Sequence, residues 1–311
     1  MALFAVTVLV AGTASQAGVV SYIVIDLNPS GFTESFATSV SGTQQVGLGS
    51  GSATGGNQHA LLWNGSAASY VELNPSGFDN SYALGTSGTQ QVGAGSGSAT
   101  GGNGHALLWN GSAASYVDLH PSVFDGSVAR CTNGTQQVGS GLSSASGMMH
   151  ALLWNGSAAS YVDLNPSGFY ESVAFGISGT QQVGVGNSHA LLWNGSAASY
   201  VDLHPSGFAW SCAQGTSGAQ QVGWGQSTGG NEHALLWNGS ADSFVDLQQF
   251  LSSDFISSEA LGIAGNGNIV GYACDSSGYN HAILWEPVPE PASAILIGVG
   301  CLFARLRRRQ N

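Results

Sequence analysis

The chain has 311 residues, 43% of them hydrophobic, which is enough for a substantial core, yet only 7% are charged. Lys is absent and four of the five Arg lie in the last seven residues, so between residues 18 and 285 fifteen Asp or Glu stand against Arg130 alone, a net of −14. Such a body repels nucleic acid and anionic membranes, and is compatible with cations, neutral glycans or plain solubility.

At the N-terminus, residues 2–11 are almost wholly apolar and a small, polar stretch follows. Ser15 and Ala17 stand three and one residues before a signal-peptidase cut ahead of Gly18. Residues 1–17 are therefore expected to be a signal peptide, although the usual basic start of such a segment is missing.

From there the chain repeats itself. His59, His105, His150, His189 and His233 each begin the run His-Ala-Leu-Leu-Trp, and His281 begins His-Ala-Ile-Leu-Trp. The Trp-to-Trp steps are 46, 45, 39, 44 and 48 residues. A period in the forties built of short apolar runs points to a radial or stacked β-repeat. In the copy that starts at His59, residues 59–63 read as a strand and Asn64-Gly65 as a hairpin turn. Residues 69–73 alternate and read as the returning strand, and Asn74-Pro75-Ser76-Gly77 is a turn by composition. Residues 81–86 and 90–95 are a third and fourth strand, and the glycines of the fourth suggest close packing near a crowded axis. Four strands per repeat describe a propeller blade.

The repeat region opens at residues 21–27, a second strand without its first, and closes at residues 281–285, a first strand without its second. The halves complement one another, as in a closed ring without open edges. The expected fold is all-β: a six-bladed β-propeller of four-stranded repeats over residues 18–285, with an open β-solenoid as the alternative. The repeat resembles the bacterial HAF extracellular repeat family, with Leu or Ile here in place of its Phe. The resemblance implies an exported repeat protein and no established biochemical activity.

The repeated polar groups read as structural. Six histidines on six blades are too dispersed for one metal, and each is expected to tie neighbouring strands. One carboxylate per repeat (Asp26, Glu72, Asp118, Asp163, Asp202, Asp246) does not make a calcium site. The strand-end tryptophans read as core. Trp210 and Trp224 break the pattern and are the candidate ligand contacts. Cys131, Cys212 and Cys274 have no metal-ligand spacing and read as separate buried thiols, with one disulfide as an alternative. No catalytic residue, metal site or cofactor is expected. Near-identity among the copies suggests recent duplication without specialisation.

The tail is different. Val288-Pro289-Glu290-Pro291 leads into the uncharged residues 292–304, followed by Arg305, Arg307, Arg308 and Arg309. An apolar run followed by clustered Arg keeps its basic end in the cytoplasm, and 17 residues from Val288 to Ala304 are at the lower edge of a membrane span. These three parts in this order resemble the PEP-CTERM sorting signal of Gram-negative bacteria, here residues 286–311, with residues 292–304 as a C-terminal hydrophobic helix. The resemblance implies transient inner-membrane insertion, processing by an exosortase-type transpeptidase, and an association with biofilm or exopolysaccharide. The expected function is a non-enzymatic repeat protein of the cell surface or extracellular matrix. A propeller lectin is the alternative, and a polysaccharide lyase or hydrolase is a third class that would need a unique polar cluster.

Overall fold

A computed structural model describes residues 24–287. The expected signal peptide and the expected C-terminal helix lie outside the described residues, as do all four residues of the Val-Pro-Glu-Pro motif and the Arg cluster.

The described chain is 23 short strands in six antiparallel sheets, five of four strands and one of three. The first sheet is β1 (Glu34–Ser41), β2 (Gln44–Ser50), β3 (His59–Trp63) and β4 (Val71–Glu72), and the second β5 (Asn80–Thr86), β6 (Gln91–Ser96), β7 (His105–Trp109) and β8 (Val117–Asp118). The third is β9 (Phe124–Thr132), β10 (Gln137–Ser143), β11 (Met149–Trp154) and β12 (Val162–Asp163), and the fourth β13 (Ser172–Ser178), β14 (Gln181–Gly186), β15 (His189–Trp193) and β16 (Val201–Asp202). The fifth is β17 (Phe208–Thr216), β18 (Gln221–Ser227), β19 (Glu232–Trp237) and β20 (Val245–Asp246). The sixth has only β21 (Phe255–Ile263), β22 (Ile269–Asp275) and β23 (Asn280–Trp285). Each sheet pairs in chain order, and the first strand of every sheet lines one common channel. Six sheets around a channel fit the six blades expected.

Three expectations about the blade are corrected. The sequence unit starting at His59 is not one blade: β3 and β4 close the first sheet, and β5 and β6 open the second. The Asn-Pro-Ser-Gly turn is therefore the crossover between blades, which composition alone does not distinguish from a hairpin. The strand nearest the axis is the expected third strand, not the glycine-bearing fourth. The Asn-Gly turn is also not a two-residue hairpin. Ala67–Ser69 forms a 3-10 turn, Ser69 Oγ accepts from Asn64 N at 2.8 Å, and only Val71–Glu72 pairs back onto β3.

The glycine of each Gln-Val-Gly has a different physical cause from axial crowding. In every blade the innermost strand carries a β-bulge, after Ala37, Ala83, Ala129, Ala174, Ala213 and Ala260. The bulge pushes the carbonyl before that Ala toward the neighbouring strand. A Cβ on Gly139 would stand 1.9 Å from Val128 O, and one on Gly93 1.9 Å from Tyr82 O. Only glycine fits so close an approach.

The core lies in the seams between blades. At the first seam Val46, Ala60, Leu62 and Leu73 meet Phe78, Ala83, Leu107 and Trp109. Trp63, Trp109, Trp154, Trp193 and Trp237 are all 0% exposed, so the strand-end tryptophans are core. The same seams are tethered by a side chain. Ser81, Ser127, Ser172, Ser211 and Ser258 each accept a hydrogen bond, at 2.9–3.0 Å, from the backbone N–H of Ala60, Ala106, Ala151, Ala190 and Ala234 of the preceding blade.

The expected pairing of the two chain ends is not formed among the described residues. Residues 24–27 carry no strand and β23 pairs with β22 alone. Leu27 nevertheless rests on Phe32, Leu61 and Trp63, as Leu73 rests on Phe78, Leu107 and Trp109.

Candidate functional site

The repeated histidines and acidic residues, read separately in the sequence, are partners. His105, His150, His189 and His233 each hold, through Nδ1, the carboxylate 13 residues further on (Asp118, Asp163, Asp202, Asp246) at 2.8 Å, and His59 holds Glu72 in the same way. Each pair joins the third strand of a blade to its outermost strand. His281 instead meets Asp275 at 3.3 Å, because Asp26, which occupies the corresponding place in the repeat, is not paired with β23. His120 and His204, which stand before Pro where Asn28, Asn74 and Asn165 stand in other copies, stack on His105 and His189 with ring centroids 3.9 and 4.0 Å apart. Each also bonds the tether serine of the next blade, Ser127 or Ser211, through Nδ1. Burial and the facing histidine hold both rings below the usual imidazole pKa.

The two pattern-breaking tryptophans come together. Trp224 pairs with Cys212 across β17 and β18, and Trp210 stands two residues before Cys212, so the two indoles occupy diagonal positions on one sheet face. Trp210 is 55% exposed and Trp224 is half-buried. Burial drives the Cys212 thiol up to about 12, with Glu259 of the sixth blade adding to the rise. Glu259 accepts from Tyr272 Oη at 2.5 Å, and burial raises its carboxyl above the ordinary range, with Glu232 acting in the same direction. Cys131, Cys212 and Cys274 are free thiols on three different blades.

The asymmetric place that sequence reading missed is the channel. The bulge residue of each innermost strand is Thr38, Leu84, Arg130, Phe175, Gln214 or Leu261, in blade order. All six line one cavity of about 370 Å³ on the axis. A bulge re-aims the extra residue, here into the channel, without disturbing the rest of the ladder. The signal was in the sequence: between the constant Ser-x-Ala and the following residues, one position differs in nearly every copy. Polar and apolar residues alternate around the ring, with Thr, Arg and Gln on odd blades and Leu, Phe and Leu on even ones.

Arg130 is the one cation of the described body. Its guanidinium lies over the Phe175 ring, 5.4 Å from the centroid, and its buried Nε has no hydrogen-bond partner. No carboxylate among the described residues forms an ion pair with it. Burial lowers its pKa from the usual arginine value, and it stays charged at neutral pH.

No family model matches the sequence and no curated protein matches it. Solved structures do match. The β-propeller domain of the Trilobed protease from Pyrococcus furiosus, described as having an open velcro topology, is 7% identical, with 83% of this chain and 84% of that chain covered at a TM-score of 0.57. A puromycin-hydrolyzing peptidase of Mycobacterium tuberculosis is 10% identical over 84% of this chain and 53% of that one, at a TM-score of 0.45. A mutant Aleuria aurantia lectin in complex with alpha-methyl-L-fucoside is 10% identical over 83% and 96%, at a TM-score of 0.34. At such identities the first of these shows the fold alone: this chain is an all-β protein of repeated four-stranded sheets whose structural neighbours are β-propellers.

Proposed function

We propose that the protein is an exported, non-enzymatic repeat protein of the cell surface or extracellular matrix, processed at its sorting tail by an exosortase-type transpeptidase and associated with exopolysaccharide. The observation that carries the non-enzymatic part is what the repeated polar groups do. The histidines of the five four-stranded sheets are engaged with the outer-strand carboxylates, the tether serines with the preceding blade's backbone, and the tryptophans with the seams. The chemistry that recurs in every blade serves the scaffold. Export rests on the sequence order of Val288-Pro289-Glu290-Pro291, apolar segment and terminal Arg cluster.

The test has two arms. In the native host, replacing Pro289 and Glu290 by Ala is expected to hold the protein in the inner membrane. The protein recovered from the wild-type culture is expected to co-sediment with the host's own exopolysaccharide in a saturable way. Release of the variant at the wild-type rate, or absence of saturable co-sedimentation, removes the corresponding half of the proposal.

A lectin is the second reading, favoured by Trp210 and Trp224 on one face of the fifth blade. An exposed indole beside a second one offers the apolar platform on which sugar rings stack. Loss of polysaccharide binding in Trp210→Ala with the fold intact would select it.

A further inference from the structure

We infer that the axial channel is a binding site for a single sugar carboxylate, a uronic acid, held by Arg130. The inference deepens the proposed association with exopolysaccharide and rests on it for the class of sugar.

The argument starts from the contrast between the ring and everything around it. The residues flanking each bulge are nearly constant: Ala before it in all six blades and Gly or Ser after it in five, with Cys131 in the other. Between these two near-constant neighbours the residue aimed at the axis varies: Thr, Leu, Arg, Phe, Gln and Leu in blade order. A scaffold made by repetition acquires a unique site where its copies differ, and here six positions holding five residue types face one cavity. Its volume, about 370 Å³, falls at the low end of the range of small-molecule pockets, roughly 300–1,000 Å³. A molecule of one ring's size suits it.

The lining chooses the chemistry. Arg130 presents a guanidinium with no carboxylate partner among the described residues, and it lies over the Phe175 ring. A planar fork of donors without an acceptor matches a carboxylate, which can take two of its N–H groups at once. The positive charge is local, because the surrounding body is strongly acidic, so the channel can pair one carboxylate at a time. Gln214 and Thr38 line the cavity two blades from Arg130 on either side; Thr38 Oγ1 donates to Ala83 O at 2.7 Å and Gln214 Nε2 to Cys212 Sγ at 3.5 Å, which leaves their oxygens as acceptors. Leu84, Phe175 and Leu261 separate the polar positions. A pyranose acid has the matching form, polar groups projecting from a C–H framework, with one of them anionic. A fatty acid has no hydroxyl to donate to the Gln214 amide oxygen, and a neutral sugar would leave Arg130 without its counter-charge.

The test is calorimetric titration of the processed protein with sodium glucuronate, with glucose and acetate as comparison ligands. Glucuronate is expected to bind at one site per chain and to weaken as salt is raised, since its carboxylate meets a partly screened charge. Arg130→Gln is expected to lose roughly 10–100-fold in affinity, the scale of a charge-assisted hydrogen bond. Arg130→Lys should keep part of the binding, and thermal melting of both variants reports whether the ring has survived. Phe175→Leu, which leaves the charge in place, should weaken glucuronate binding less than Arg130→Gln does.

Three results would overturn the inference: no saturable binding of glucuronate to the folded protein, equal binding by a folded Arg130→Gln variant, or acetate binding as tightly as glucuronate. The surface reading fails separately. If the protein ignores its host's exopolysaccharide yet binds glucuronate through Arg130, the channel site stands and the matrix association falls. If polysaccharide binding persists in Arg130→Gln and free glucuronate does not bind, the channel assignment falls and the matrix association stands.

Discussion

Five seams between neighbouring blades are filled, and the sixth, between the last blade and the first, holds the same residues apart. At the first seam eight side chains from the two blades meet. At the sixth the corresponding first-blade residues Phe32, Leu61 and Trp63 gather with Leu27, while their counterparts on the last blade, Val270 and Leu284, are 53% and 57% exposed. Ser258 tethers blade six to blade five, yet Ser35, in the tether position of blade one, makes no such bond to Ala282. Identical chemistry thus stabilises a seam only where the outer strand of one blade is in place. The missing piece is the fourth strand of the sixth sheet, and the repeat assigns that place to residues 24–27.

The largest effect expected is on the tryptophans. Trp109→Ala empties a filled seam and should cost about 3–5 kcal/mol of stability. Trp63→Ala acts on a half-assembled cluster, so its cost should be clearly smaller. Chemical denaturation of both variants checks the order. Equal losses would mean that the sixth seam is as well packed in solution as the first, with residues 24–27 seated on β23.

Next come the tethers. Ser172→Ala removes the acceptor of Ala151 N and the donor to Asn165, inside a buried seam, and should cost about 1–3 kcal/mol by leaving a backbone N–H unpaired. Ser35→Ala removes no tether and should fall within about 0.5 kcal/mol of the parent. A smaller effect again concerns local opening. Amides of β23 should exchange with solvent faster than those at the same positions in β11, because β11 is paired on both sides and β23 on one. Protection of Ile283 and Leu284 equal to that of Leu152 and Leu153 would show the ring closed.

Much of this arrangement was legible in the sequence because repetition multiplies weak signals. One His-Ala-Leu-Leu-Trp run is an ambiguous apolar strand; six at steps of about 44 residues define a radial array. The half-units at the two ends were read as completing one another, whereas the sixth sheet has three strands among the described residues. The order of strands from the axis outward was not legible, because glycine in a strand signals close approach without saying to what. Here the cause is the carbonyl displaced by a bulge, as at Gly139 against Val128 O, rather than neighbouring blades. The pairing of His105 with Asp118 escaped because each residue was read against its own copies and not against the strand beside it. The channel residues escaped for the opposite reason: Arg130 and Phe175 look like noise in a repeat until the register shows both at the bulge.

The smallest effect separates the sealed seams from one another. The tether serine is held by Asn74 at the first seam, His120 at the second, Asn165 at the third, His204 at the fourth and Gln248 at the fifth. Only the second and fourth can titrate near neutrality through this residue. Burial, followed by the facing His105 or His189, holds His120 and His204 below the ordinary imidazole value of 6.5. Between that lowered value and 6.5 the unfolded chain binds more protons than the folded one, so stability is complete above this window and falls as the pH drops through it. Protonation would also give stacked rings 3.9 Å apart like charges. A double variant, His120→Asn with His204→Asn, installs the residue that the first and third seams already use. It should flatten the fall in melting temperature below pH 6.5 while leaving the neutral value nearly unchanged. If the variant keeps the parent's acid sensitivity, the two stacked histidines are not its source, and the filled seams are alike in their response to protons as well as in their packing.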